Sequence, residues 1–432
     1  MGEKELDNVK PLLEGEEVDK EKLRNSNENL SKVIYISTAF FFLFSAYNGA
    51  QSLMSEIYEQ LGYKQLGRQS LIALYGAFLI NNLFAANIIQ DWSYKKGMFI
   101  GSFGYIVSLV IGLLTTWCAN DQTGICTSEP FIYFINFLSS GLNGFCAPIL
   151  WLSLNKYITT CSNEYNRGKF FGYFWGIMNF NMIVGNIIAL YVIHAFSQLV
   201  FYMVMSSLAC AATVMILFAP HVEKTGVDKP KTVKQKVQDM KALVFGDRMP
   251  SFIPYIILSG IVVAEYIGFE SQVLTHIMQG KDHKEINEYT AAVFIFQGII
   301  AVIIGFLTGK IADKVTNRTL LLNSALLFVV FAALASMLAY FLANIAMGYV
   351  MGFFWGFGYS AIHTLGAVVI SKDYGGLIES FAVMQFFTEI GVIIGLFVSI
   401  VFAQQIIGSI IIIYICIVIT QVITRAYQSK VL

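Results

Sequence analysis

Ile299-Ile300-Ala301-Val302-Ile303-Ile304-Gly305-Phe306-Leu307 runs directly into Thr308-Gly309-Lys310-Ile311-Ala312-Asp313-Lys314. An uninterrupted apolar run is a poor surface for water, and the acid and bases at its end mark where the chain leaves lipid. Working outward from it, stretches of this kind recur from Val33 onward. The pattern predicts twelve spans, at 33–54, 70–90, 97–117, 130–156, 168–192, 199–219, 251–278, 289–311, 319–341, 345–370, 377–402 and 407–425. A hydrocarbon core about 30 Å thick needs about 20 apolar residues per helix, and helices satisfy their own backbone groups in lipid. A chain that is 56% hydrophobic and only 13% charged agrees. The expected fold class is therefore an all-α membrane protein.

Net charge is zero, so the placement of the charges carries the information. Alternate loops and the two ends hold 24 of the 28 Lys and Arg residues; Lys64, Arg68, Lys281 and Lys284 alone fall on the other side. The positive-inside rule then puts both termini in the cytoplasm, with an even number of spans. The membrane, plasma or internal, is not indicated. Residues 1–32 are polar and densely charged, which predicts a disordered cytoplasmic tail rather than a cleavable signal peptide. Residues 33–219 and 251–432 form two six-span halves. Between them, 220–250 is a linker in which Val233, Val237, Met240 and Val244 recur at helical spacing among Lys231, Lys234, Gln238 and Lys241. That pattern suits either a basic amphipathic helix on the inner membrane surface or a solvated linker helix. Cys118 and Cys126 share an outward loop, where a disulfide and two free thiols are alternatives.

The halves echo each other. Asp91-Trp92-Ser93-Tyr94-Lys95-Lys96 follows the second span, and Gly309 to Arg318, with Asp313 and Lys314 between, follows the eighth. An aspartate at a helix end beside bases can latch neighbouring helices through charge-assisted hydrogen bonds. The second copy resembles the loop motif of the major facilitator superfamily; the first has Asn87 where that motif has glycine. Other stretches resemble the uncoordinated-93-like family, a branch of that fold. They are Ser45-Ala46-Tyr47-Asn48-Gly49-Ala50-Gln51, Leu71-Ile72-Ala73-Leu74-Tyr75-Gly76, Leu150-Trp151, Asn166-Arg167-Gly168-Lys169-Phe170-Phe171-Gly172, and Phe354-Trp355-Gly356-Phe357-Gly358. Leu154-Asn155 replaces the family's usual Gln-Gly. The resemblance implies a major facilitator fold of two six-helix halves around a polar cavity. It also implies one of two roles: transport, or regulation and escort of a potassium channel or receptor.

Ionisable groups within lipid are costly and mark functional sites by default. Glu265 lies in span 7, Glu389 in span 11 and His363 in span 10, with Glu270 further along span 7. In a major facilitator arrangement these spans surround the cavity, so all four are candidates for holding a proton or cation. A carboxyl withdrawn from water holds its proton more readily. The first half offers neutral groups instead: Tyr47, Asn48 and Gln51 in span 1, Asn143 in span 4, Asn179 and Asn181 in span 5. Each is either a ligand contact or an interhelical hydrogen bond. No Lys or Arg lies mid-span, which disfavours anions as cargo. Gly168, Gly172 and Gly176, and Gly348, Gly352 and Gly356, repeat every four residues and read as close helix contacts. Metal-binding spacings and nucleotide motifs are missing, so we expect no enzymatic activity, no cofactor, no metal and no nucleic acid. The expected partners are the bilayer, a channel or receptor protein, and a small cation or proton. The leading expectation is a channel-regulatory or trafficking partner on a transporter scaffold; the alternative is a proton-coupled carrier of a cation or small neutral solute.

Overall fold

The computed structural model describes residues 3–63, 65–121, 123–223, 231–246, 248–266, 270–401 and 405–428. Fourteen α-helices occur among them. The first half comprises α1 (Glu3–Gln60), α2 (Leu66–Ile88), α3 (Tyr94–Asp121), α4 (Glu129–Cys161), α5 (Arg167–Ala195) and α6 (Gln198–Leu217). A linker helix, α7 (Val233–Val244), follows. The second half comprises α8 (Met249–Ala264), α9 (Glu270–Ile277), α10 (His283–Lys314), α11 (Arg318–Leu342), α12 (Ile345–Asp373), α13 (Ile378–Val401) and α14 (Gln405–Gln428). Ten of these are long and apolar enough to cross a membrane. The other two expected spans are also helical. The seventh comprises α8, a π-helical turn at Glu265 and Tyr266, and α9, and the twelfth is α14, whose apolar part is Ile410–Thr424. The backbone of α1 is already helical at Glu3, where composition had suggested a disordered tail; its apolar portion is Asn27–Met54.

Packing repeats between the halves. In the first, α1 lies against α5 and α6, α2 against α4, and α3 against α4 and α6; in the second, α8 lies against α13 and α14, α10 against α12, and α11 against α12 and α14. Large apolar side chains such as Ile80, Phe134, Leu327 and Tyr414 cover the outside, as expected where the solvent is hydrocarbon. A disulfide joins Cys118 to Cys126 and closes the α3–α4 loop.

With lipid outside, burial of apolar area gives little reason for helices to associate, so close packing and polar contacts must do it. Glycines permit this where the halves meet. A Cβ on Gly172 would stand 2.7 Å from Gly309 Cα and 2.9 Å from Gly305 O, and one on Gly176 would strike the Phe306 ring at 2.8 Å. So α5 and α10 touch backbone to backbone. The second glycine series, Gly348, Gly352 and Gly356, faces Tyr289, Val293 and Gln297 on the other flank of α10.

This approach positions the charged end of α10. Asp313 accepts hydrogen bonds from the backbone N–H of Gly168 (2.8 Å) and Lys169 (2.6 Å), capping α5 across the interface. A carboxylate there satisfies orphan donors and complements the positive end of the helix dipole. Lys372 at the end of α12 donates to the same carboxylate at 2.7 Å, with both side chains largely buried. Around it Arg167 donates to Ser371 O (2.6 Å) and Lys156 to Gly376 O (2.7 Å), both from one half to the other. Arg318 instead stays within its half, 3.5 Å from Asp373, and Gly309 serves as the close-contact point.

The first copy of the motif is arranged differently. Asp91 is exposed, neither it nor the half-buried Lys95 has an ion pair among the described residues, and Lys96 sits 4.8 Å over the Trp92 ring. With Asn87 in place of a glycine, the end of α2 receives α7 instead. Lys231 N–H donates to Gln90 (3.0 Å), and the buried Lys236 donates to Ala86 O (2.6 Å). The Lys231 ammonium lies 2.8 Å from Asp239 and 3.6 Å from Glu379 of α13. α7 thus touches both halves and meets α8 at 97°.

Two outcomes follow from this interface. Gly172→Val should cost about 1–3 kcal/mol by overpacking, read as a lower thermal midpoint in detergent; an unchanged midpoint would show that α5 and α10 are not in contact there. Asp313→Asn should weaken the cap and leave Lys372 without its counter-charge. Spin labels introduced through Tyr165→Cys and Thr316→Cys, on a background without the free cysteines, should then report longer distances.

Candidate functional site: a polar cavity between the halves

Above the latched end lies a cavity of about 190 Å³, roomy enough for a cluster of waters or a small solute. From the first half, α1 contributes Tyr47, Asn48 and Gln51, α2 contributes Tyr75, α3 Tyr105, and α4 Asn143, Trp151 and Asn155. From the second, α8 contributes Ser259, α12 Tyr359 and His363, and α13 Gln385, Thr388 and Glu389. No Lys or Arg is among the lining residues.

The polar groups are organised by helix periodicity. Tyr47, Asn48 and Gln51 share one face of α1. Gln51 donates to the Tyr75 hydroxyl (3.2 Å), and Asn48 donates to Asn181 Oδ1 (3.0 Å). Gln385 and Glu389 are one turn apart on α13. Glu389 is 6% exposed, and its Oε2 has no hydrogen-bond partner; neither has either side-chain polar atom of Gln385. These groups face the cavity with their hydrogen-bonding capacity unspent, as a ligand-binding wall requires.

An aromatic wall crosses between the halves. Trp151 stacks on Trp175 (6.1 Å between ring centroids, 18° between planes), Trp175 on His363 (5.2 Å, 26°), and His363 meets Tyr359 at 4.7 Å. Trp151 also donates to the Tyr105 hydroxyl at 3.2 Å. Aromatic faces around one carboxylate are the chemistry that recognises an organic cation, because the ring quadrupole and the anion act in the same sense.

The sequence candidates divide. Tyr47, Asn48, Gln51, Asn143, His363 and Glu389 line the cavity. Asn179 does not: it donates to Ala301 O (3.1 Å) and Ser360 Oγ (3.0 Å), tying α5 to α10 and α12. Asn181 stands behind Asn48 and also donates to Met178 O. Glu265 and Glu270 lie outside the cavity lining; Tyr266 between them faces it instead. At Glu265 the α-helix gives way to a π-helical turn, so the regular α-helical face expected for span 7 does not run through both acids. Sequence reasoning passed over Tyr75, Tyr105, Tyr359 and Gln385. Only Gln385 carried a usable signal, its four-residue spacing from Glu389; the tyrosines look like ordinary lipid-facing or core aromatics until the helices are placed.

Cysteine accessibility tests this division. A hydrophilic thiol reagent should modify Glu389→Cys and leave Glu265→Cys unreacted in the folded protein; equal reaction at both would place Glu265 in the cavity.

Comparison with known proteins agrees with this architecture. Residues 34–396 match the family model of the Major Facilitator Superfamily. Among curated proteins, the putative potassium channel regulatory protein unc-93 of Caenorhabditis elegans is 28% identical over 174 residues, covering 38% of this chain and 22% of the relative. Human protein unc-93 homolog A is 29% identical over 174 residues, 38% of this chain and 34% of the relative. UNC93-like protein 3 of Arabidopsis thaliana is 24% identical over 194 residues, 43% and 37% respectively. The chain thus matches between about a fifth and two fifths of these relatives' lengths. Among solved structures, FucP in its outward conformation superposes with a TM-score of 0.65 at 13% identity, covering 91% of this chain and 98% of that one. The human organic anion transporter MFSD10 (TETRAN) gives 0.67 at 11%, covering 92% and 99%. Those two likenesses establish the shared fold, and with the family match over most of the sequence the conclusion is direct: this chain is an integral membrane protein belonging to the Major Facilitator Superfamily.

Proposed function

We propose that this protein is an alternating-access carrier whose central cavity takes a small organic cation, or a neutral solute together with a proton. The observation that carries this reading is Glu389, a buried carboxylate facing a cavity walled by aromatic rings and amides, with no basic side chain in the wall. A cation entering the cavity would neutralise Glu389, whereas an anion would meet a second negative charge in a medium that screens it poorly. The Asp313 latch gives such a carrier its two-state element. It is assembled from groups of both halves and would separate when that end opens, exposing the cavity to the opposite side. We read the basic end as cytoplasmic, with both termini there, from the distribution of Lys and Arg.

A second reading is favoured by the similarity to unc-93, described as a putative potassium channel regulatory protein. Here the same scaffold serves as a regulatory or trafficking partner of a channel, and the cavity moves no cargo.

Flux in proteoliposomes separates the two. Radiolabelled tetraethylammonium should enter vesicles containing the wild-type protein, faster than an aliphatic carboxylate of similar size. Glu389→Gln should reduce that entry by about tenfold or more, the equivalent of losing one charge-assisted contact. Absence of uptake for cations and neutral solutes alike, together with a potassium current altered only when a channel is co-expressed and unaffected by Glu389→Gln, would overturn the carrier reading.

A further inference from the structure

Away from the cavity, the second half contains a pair of acids that the carrier reading leaves unused. α8 gives way at Glu265 and Tyr266 to a π-helical turn, and α9 begins at Glu270. In an unbroken α-helix, residues five apart would point roughly 140° away from one another. The π-helical turn departs from that periodicity, and Glu265 and Glu270 are close enough to interact electrostatically. Both are buried, at 2% and 1% exposure. From α10, Gln297, fully buried, donates its amide to Glu270 Oε1 at 3.1 Å. It reaches this position because Gly352 and Gly356 let α12 lie against the backbone of α10 at Gln297.

Three oxygens remain without a hydrogen-bond partner here: Oε2 of Glu265, Oε2 of Glu270 and Oε1 of Gln297. All are acceptors, and neither carboxyl has an ion pair among the described residues. Two like charges in a low-dielectric interior, with no counter-charge, require a positive species between them. A set made only of carboxylate and amide oxygens suits a hard inorganic cation or a proton, and not a soft metal. Interrupted transmembrane helices and π-bulges are recurrent places for such sites.

We infer that Glu265, Glu270 and Gln297 form a binding site for a single monovalent inorganic cation, an alkali ion or a proton, distinct from the central cavity. Tyr266, between the two acids, faces the cavity. The titratable groups on the surrounding elements are Tyr266, Tyr289 of α10, Tyr359 and His363 of α12, Glu389 of α13, and His276 of α9, which stacks on Tyr340 of α11 at 4.1 Å. The inference concerns binding and stands whether or not the protein moves cargo.

The test is thermal unfolding of the full-length protein in nanodiscs. Sodium or potassium chloride is titrated against N-methylglucamine chloride at constant ionic strength, then a pH series is run without alkali ion. Because a ligand that binds only the folded state raises its midpoint, wild type should be stabilised by alkali ion or, if the site takes a proton, by lowered pH. Glu265→Gln and Glu270→Gln should each abolish that response or raise the half-saturating cation concentration by about tenfold or more. Asp91→Asn, at an exposed loop carboxylate, should retain it. Should the amide variants fail to fold, Glu270→Asp, which keeps the charge and moves it by one methylene, should shift the half-saturating concentration. The proposal is overturned if neither alkali ion nor pH moves the wild-type midpoint, or if the response is the same in the variants that fold as in wild type.

Discussion

The backbone contact between α5 and α10 is the constraint on which the rest of this molecule depends. Where the surrounding medium is as apolar as a leucine side chain, two six-helix halves associate only through close packing and through polar groups that satisfy each other. Gly168, Gly172 and Gly176 against Gly305 and Gly309 supply the first. They also make the second geometrically possible, since only a backbone approach this close lets the carboxylate of Asp313 reach the first N–H groups of α5. Lys372, Arg167 and Lys156 then gather around a cap already in place. One end of the interface is shut by these groups.

Above that closure, polarity is unevenly distributed. The first-half wall is neutral: Gln51 pairs with Tyr75, Asn48 with Asn181 and Trp151 with Tyr105, while both side-chain polar atoms of Asn143 lack a partner. The second half holds the acids, with unpartnered oxygens on Glu389, Glu265 and Glu270 and both polar atoms of Gln385 unpartnered. Buried acceptors without donors are expensive to maintain.

Much of the fold was legible before any coordinates. Length and hydropathy of the apolar runs placed a helix at each of the twelve spans, because in lipid a segment must satisfy its own backbone and has few alternatives. The duplicated aspartate-and-base loops suggested two related halves, and Asp313 accepts hydrogen bonds across the interface between them. The same motif misled at Asp91: without a glycine at position 87, α2 admits the linker helix and its Lys236 instead of a capped helix end. Arg318 looked like the latch's base and is not; Lys372, remote in sequence, takes that place. At the cavity, Glu389, His363, Tyr47, Asn48, Gln51 and Asn143 were visible as polar residues within apolar runs, whereas Tyr75, Tyr105 and Tyr359 were not, since an aromatic in a membrane helix looks the same facing lipid, core or cavity.

What the amino-acid sequence determined alone is everything governed by the one-dimensional match between chain and bilayer: helical class, span positions, the uneven share of basic residues between alternate loops and the presence of costly charges within the membrane. What tertiary structure decided is the company those charges keep. Glu265 and Glu389 are equivalent as letters, each an acid inside an apolar run. Yet one faces an aromatic-walled cavity and the other a neighbouring acid behind that wall. The helix carrying Glu265 changes from α to π there, and such a turn rotates side chains through angles that no periodic reading anticipates.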